Sequence, residues 1–264
     1  MPFKVELVTD EDALAEVFKL RYKVYCQEWG FEKPEKYPDR LETDEYDKYS
    51  LHFAARDDSQ KIVGTVRLIL GSPAGFPAER YCQVDFDRSG IPEECIAEIS
   101  RLAINREYRK RSEDKYIYGP DEERRVIGSF DQPFNFNNKT GHQMNKNNYR
   151  RADDRYRYNK YASARSKNET QDERRSKHEL ITSLYKAIYQ ESKKRKLTHW
   201  YAVMTQGLVI LLKRFGFGFQ AAGDPVDYHG IRTPYLGEIQ KIEQEVQANN
   251  PELYDEFTKD VQLF

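Results

Sequence analysis

The feature that most limits how this chain can fold is a long polar interruption. From about Arg106 to about Lys177 the sequence is rich in Arg, Lys, Asn, Asp and Tyr, and Asn135–Tyr161 has almost no aliphatic residue. Such a stretch cannot bury enough apolar surface to order itself. It reads as an insertion that is mobile, or folded only against a partner. Any core must therefore be assembled from the two flanking segments. They are read as one domain, 1–264, with the insertion at 106–177 inside it.

The first segment opens with a helix. Leu14, Val17, Phe18, Arg21, Tyr22 and Tyr25 recur at spacings of three and four, and Thr9 or Asp10 can cap the start, so a helix is predicted from about Asp10 to about Cys26. The loop FEKPEKYPDRLETDEYD follows Trp29-Gly30 and is too rich in proline and charge to be one regular element. Leu51–Arg56 and Ile62–Leu70 read as strands around the turn Asp57-Asp58-Ser59-Gln60, and Ala97–Asn105 as a third. Beyond the insertion, Leu180–Arg195 is an amphipathic helix. Thr198–Met204 is a strand, Gln206–Phe215 a helix stopped by Gly216, and Phe217–Ala221 a short strand. Val226–Leu236 is then a last strand and Gly237–Gln247 a final helix. This order predicts an α/β protein with a mixed central sheet flanked by helices, not a doubly wound parallel fold.

Composition removes several function classes. Lys and Arg total 43 against 44 Asp and Glu, a net charge of −1, which excludes a simple polybasic nucleic-acid binder. No apolar run approaches the ~18 residues of a membrane span, and the first residues lack the pattern of a signal peptide. Three cysteines, Cys26, Cys82 and Cys95, are too few and too odd for a disulfide framework, so a reducing cytoplasm is expected. His52, His142 and His178 have no metal-ligand spacing with those cysteines, and no metal site is predicted.

Three charged features stand out. Glu42-Thr43-Asp44-Glu45-Tyr46-Asp47 is dense in carboxylates, Arg67 interrupts the apolar strand GTVRLIL, and Glu98-Ile99-Ser100-Arg101-Leu102 sets charges inside another strand. An acidic run is ordinarily a solvated loop. A buried strand arginine, in contrast, needs an acidic partner, and two such strands beside an acidic loop suit a paired cluster in a cleft.

Taken together these residues resemble the acyl-homoserine-lactone (autoinducer) synthases. Those enzymes carry an Arg-x-x-x-Phe helix, a downstream Trp, a Glu-x-Asp-x-x-Asp loop, a strand Arg and a Glu-x-Ser-Arg strand. The matching residues here are Arg21 with Tyr25 in place of Phe, then Trp29, Glu42, Asp44, Asp47, Arg67, Glu98, Ser100 and Arg101, in the same order and local spacing. The segments THWYAVM, LLKRFGFGFQ and PVDYHGIRTPYLGEI further resemble acyltransferases associated with the PEP-CTERM/exosortase system, a branch related to long-chain N-acyl amino acid synthases. All share the GNAT acyltransferase fold.

The resemblance implies acyl transfer from a thioester to an amine. Splayed strands in that fold expose backbone N–H groups to a developing oxyanion, here near Leu102–Ile104. A carboxylate takes the amine proton, Glu98 first and Glu42 second, with Ser100 and Arg101 beside them. Arg21, Tyr25, Trp29, Asp44, Asp47 and Arg67 would shape the acceptor site. In a regular strand Glu98 and Ser100 share a face while Arg101 points away. Either a bulge brings Arg101 into the cleft or Arg101 is structural. The glycine-rich pyrophosphate loop typical of the fold is replaced by Arg106-Glu107-Tyr108-Arg109-Lys110-Arg111-Ser112. Arg109, Lys110 and Arg111 suit acyl carrier protein, an acidic partner, as donor, with acyl-coenzyme A as the alternative. No tightly bound cofactor is implied. His199 and His229 read as structural. The rival readings are a lactone synthase using S-adenosylmethionine and a non-catalytic sensor of acyl carrier protein or lipid.

Overall fold

The computed structural model describes residues 3–108 and 171–259. In chain order it has β1 (Lys4–Leu7), α1 (Glu11–Tyr22), β2 (Ser50–Arg56), β3 (Ile62–Leu70), α2 (Pro77–Tyr81) and β4 (Ile96–Ile104). Then come α3 (Gln171–Lys194), β5 (His199–Met204), α4 (Gln206–Arg214), β6 (Gln220–Ala221), β7 (Val226–Asp227), β8 (Ile231–Glu238), α5 (Ile239–Asn249) and α6 (Pro251–Thr258). The strands form one mixed sheet in the order β1-β2-β3-β4-β5-β8-β6, with β7 paired to β8. Its β4–β5 pair is parallel and the neighbouring pairs are antiparallel.

α1 and α3 cover opposite faces of the sheet, as strand alternation requires. Phe53 and Ala55 of β2 pack in the core under α3, with Leu180, Leu184 and Ile188, while Ala54 between them packs with Val17 and Leu20 of α1. Asp10 caps α1, its carboxylate accepting from Ala13 N–H at 2.7 Å, so Asp10 and not Thr9 is the N-cap. α1 then loosens into a π-helical stretch at Lys23–Glu28, which carries Tyr25 toward the sheet centre. Gly216, at φ 91°, ends α4 as expected, and a Cβ there would meet the Val246 Cα at 2.9 Å.

Several elements differ from the sequence reading. Val226–Leu236 is not one strand: Tyr228-His229-Gly230 turns the chain between β7 and β8, with His229 at φ 57° and Gly230 at φ 90°. β6 is only Gln220–Ala221, because Phe217 turns inward to pack on Tyr185 and Phe257. β1, α2 and α6 were not anticipated. α3 starts at Gln171 and a short 3-10 turn occupies Arg106–Tyr108, so regular structure enters both ends of the expected insertion. Residues 109–170 lie outside the described residues. Among the described residues no helix is long and apolar enough to cross a membrane.

Candidate active site

The site is built where β4 changes its pairing. Against β3, Thr65 pairs with Ala103 but Arg67 pairs with Ser100, so β4 contains one extra residue opposite Val66. Arg101 sits in that bulge with φ 51°, a left-handed conformation costly for a non-glycine residue. The bulge resets the alternation: Ile96, Glu98 and Ser100 share the α1 face of the sheet, and so does Ala103 beyond it. It also turns Arg101 toward the same side as Glu98. The bulged alternative is thus the one the fold adopts. Against β5, the parallel ladder runs only from Ile96–His199 to Ile99–Ala202. Past that point the two strands part, and a cleft of about 920 Å³, including its open mouth, lies between them.

Six charged side chains form a closed cluster at the cleft wall. Arg21 donates through Nε to Glu42 Oε2 at 2.5 Å and through Nη1 to Asp47 Oδ1 at 2.7 Å. Arg67 Nη1 donates to Asp44 Oδ1 and Asp47 Oδ1, both at 2.6 Å, and its Nε to Ser100 Oγ at 3.0 Å. Arg101 donates to Glu42 Oε1 at 3.1 Å and Asp44 Oδ2 at 3.0 Å. Three guanidinium groups therefore face three carboxylates, each carboxylate bridging two arginines. Arg21 and Glu42 are fully buried and Arg67 is 1 % exposed. Within the acidic run Glu42 is buried and Asp44 and Asp47 are partly buried in this lock, while Glu45 stays exposed. Burial opposes charge on Glu42, but Arg101 and Arg21 hold its carboxyl below the usual range. Asp44 and Asp47 are held low in the same way, Asp44 by Arg67 and Arg101, Asp47 by Arg21 and Arg67. His52, the cross-strand partner of Arg67, is pushed down to about 4 by burial and by Arg21, so it stays neutral.

Glu98 is different. It is buried on the same face but has no ion-pair partner among the described residues; its Oε2 accepts from the Ala78 N–H at 2.8 Å. Burial pushes its carboxyl up to about 7, against the lowering influence of the Ala78 bond and then of Arg67 and Arg101. It lines the cleft with Arg67, Ser100 and Arg101.

The cleft walls hold most of the other predicted residues. Leu102 and Ile104 line it from the part of β4 beyond the ladder. Tyr25 and Trp29 line it too; the Tyr25 hydroxyl donates to the Leu102 carbonyl at 3.1 Å, and Arg101 lies over the Tyr25 ring at 5.5 Å. Arg21, Glu42, Asp44 and Asp47 stand behind the wall, tied to it through Arg67 and Arg101. Arg109, Lys110 and Arg111 lie outside the described residues. The sequence reading missed Phe31, Tyr228 and Arg232, and assigned His229 only a structural role. His229 lines the cleft, its Nδ1 lies 3.2 Å from the Phe31 carbonyl, and burial with the nearby Arg101 lowers its pKa. The Tyr228-His229-Gly230 motif carried the signal for a tight turn, and only a known β7–β8 pairing would have placed it over β4. Among the described residues no group of His, Cys, Asp and Glu side chains is placed to hold a metal ion.

Known proteins show the same architecture. Residues 20–118 match the family model described as acetyltransferase (GNAT) domain. The CoA-dependent acyl-homoserine lactone synthase BjaI, solved with SAM and isopentyl-CoA, superposes with a TM-score of 0.56 at 16% identity, covering 95% of this chain and 89% of that one. The AHL synthase LasI gives 0.53 at 14% identity, over 99% and 98%. The N-acyl amino acid synthase FeeM, from uncultured soil microbes, gives 0.50 at 9% identity, over 93% and 95%. No curated protein sequence matches this one. At these identities the structural likeness establishes the fold: a GNAT fold, with an acyltransferase domain of that type in the first segment.

Proposed function

We propose that this GNAT-type acyltransferase moves a fatty acyl chain from an acyl carrier protein thioester to the amine of an amino acid or similar small molecule. The observation that carries the reading is Glu98: a buried carboxyl facing the cleft, without an ion-pair partner among the described residues and pushed up to about 7 by burial. Such a group can take a proton from a bound ammonium or attacking amine at physiological pH. The amine nitrogen attacks the thioester carbonyl carbon, its proton passes to Glu98, the C–S bond breaks and the thiolate leaves and is protonated. The carbonyl oxygen gains negative charge during attack and is met by N–H groups of β4 beyond the ladder, at Leu102–Ile104. Glu42, the second base candidate, has both oxygens occupied by arginines and is held ionised, so the base role falls to Glu98 alone. The Arg21–Glu42–Arg101–Asp44–Arg67–Asp47 lock fixes the bulge. Arg67 Nη2, buried and without a hydrogen-bond partner among the described residues, is the donor assigned to a carboxylate of the acceptor. Acyl carrier protein as partner belongs to the same reading and rests on the basic Arg109–Arg111 run in place of a glycine-rich loop, a cytoplasmic location rests on the sparse cysteines, and a link to the PEP-CTERM/exosortase branch rests on the sequence resemblance.

A second reading, a lactone synthase using S-adenosylmethionine, is favoured by the fold likeness to BjaI and LasI. Product mass spectrometry separates the two. The protein would be given long-chain acyl–acyl carrier protein, or acyl-coenzyme A, with pooled amino acids and S-adenosylmethionine. An N-acyl amino acid is the expected product. Lactone with methylthioadenosine would select the second reading, and no product from either donor would overturn both.

A further inference from the structure

Glu98 is surrounded by apolar structure: its neighbours across the sheet are Ile69 on β3 and Tyr201 on β5. A carboxyl in such a place is drawn toward its neutral form, and with no partner it is free to turn away from the cleft. One donor opposes both tendencies. α2 begins at Pro77, and Ala78 is its second residue. N–H groups of a first helical turn have no carbonyl within the helix to bond. That of Ala78 points across to β4 and donates to Glu98 Oε2 at 2.8 Å.

The donor is held by packing and not by Glu98. Pro77 and Ala78 are buried, and Phe76 packs edge-on against Tyr201, ring centroids 5.7 Å apart. Arg80 pairs with Glu45 at 2.5 Å, beside the acidic lock, and Tyr81 stacks on Tyr228 of the β7–β8 turn at 5.1 Å. The buried Pro77 and Ala78 and the Phe76–Tyr201 contact thus hold α2 in place before it meets Glu98, with the exposed Arg80 and Tyr81 contacts at its rim.

We propose that the Ala78 N–H is a positioning group for acyl transfer: it pins one carboxylate oxygen of Glu98 and leaves the other turned to the cleft, where the amine proton is delivered. The proposal rests on the reading of Glu98 as base. The same bond also opposes burial, holding the Glu98 carboxyl down toward neutrality.

The test uses the whole protein and begins with an unmutated chain. The Ala78 amide proton, followed by ¹⁵N-resolved NMR from pH 5 to 9, is expected to move as Glu98 ionises. Its midpoint should coincide with the acidic limb of kcat/KM, and the movement should vanish in Glu98→Gln. An amide that ignores pH, or titrates away from the kinetic limb, would overturn the proposal. Ala78→Pro removes the donor, and Ala78→Gly keeps it. The proline variant should move the acidic limb upward by about one to two pH units and lower kcat about tenfold at pH 7, with the acceptor KM unchanged. The glycine variant should keep the native limb. A folded proline variant with an unmoved limb would also overturn it, and if that variant does not fold the amide titration decides. Should Glu98→Gln keep full activity, the base reading itself fails. If it is inactive while the Ala78 signals stay still, only the Ala78 role fails.

Discussion

Two groups of charges lie a few residues apart on the same face of the sheet, and they behave in opposite ways. In the Arg21–Arg67–Arg101 cluster every carboxylate bridges two guanidinium groups, and these cations outweigh the burial that opposes charge: the acids stay ionised far below neutrality. Glu98 is just as deeply buried, yet among the described residues it meets one backbone N–H and no ion-pair partner, and burial raises its carboxyl to about 7. Burial alone therefore does not determine whether an acid is inert or usable. Compensated charges become scaffold, and the uncompensated one becomes titratable.

Breaking the lock should have the largest effect on stability. Arg21→Met removes the partner of the buried Glu42 and the partly buried Asp47 and is expected to destabilise the fold by about 3–5 kcal/mol in urea or guanidinium unfolding, since the stranded charges keep their desolvation cost.

The same comparison predicts the reverse for Glu98. Its folded pKa is raised to about 7 from 4.5, so the folded state holds the proton more tightly. Stability is then full below about pH 4.5 and falls as pH rises toward 7. Glu98→Gln should therefore be more stable than the native protein at pH 8, by on the order of 3 kcal/mol, and equal to it near pH 4. Equal stability at both pH values would show that Glu98 is not a strained acid.

The lock carries the opposite sign. Asp44 and Asp47 are lowered from 3.8 and Glu42 from 4.5, so their contribution is present above those values and is lost as pH falls through the folded ones. Unfolding midpoints measured against pH should drop steeply below about pH 4, and Asp47→Asn should flatten that drop while lowering stability at neutrality by about 2 kcal/mol or more. The smallest effect is expected at the bulge. Tyr25→Phe deletes only the hydroxyl that donates to the Leu102 carbonyl and should cost about 1 kcal/mol.

How much of this was legible in sequence depends on the interaction. The acidic loop, Arg67 and the Glu98–Arg101 strand announce themselves, because charges inside apolar strands require partners. Alternation narrows Arg101 to two alternatives, a bulge that turns it into the cleft or a structural role on the other face, and the register of β3 against β4 decides for the bulge. What stays hidden is set by backbone and by distant contacts. α2 is five residues long with no periodic signal, and its contribution to Glu98 comes from an N–H that every residue type but proline carries. Tyr228 and Arg232 reach the cleft only because a turn at His229-Gly230 folds β7 back on β8, where the apolar pattern suggests one continuous strand. The pairing that opens the cleft, a parallel β4–β5 ladder ending at Ile99–Ala202, joins strands on either side of the polar interruption.

The central claim is that Glu98, and not the lock, takes the proton, and the kcat/KM of Glu98→Gln over pH 5–9 tests it most directly. The native enzyme should show an acidic limb near pH 7, and the variant should fall by roughly 10²–10⁴-fold and lose that limb while remaining folded. A folded variant with native rate and an unchanged limb would contradict the account.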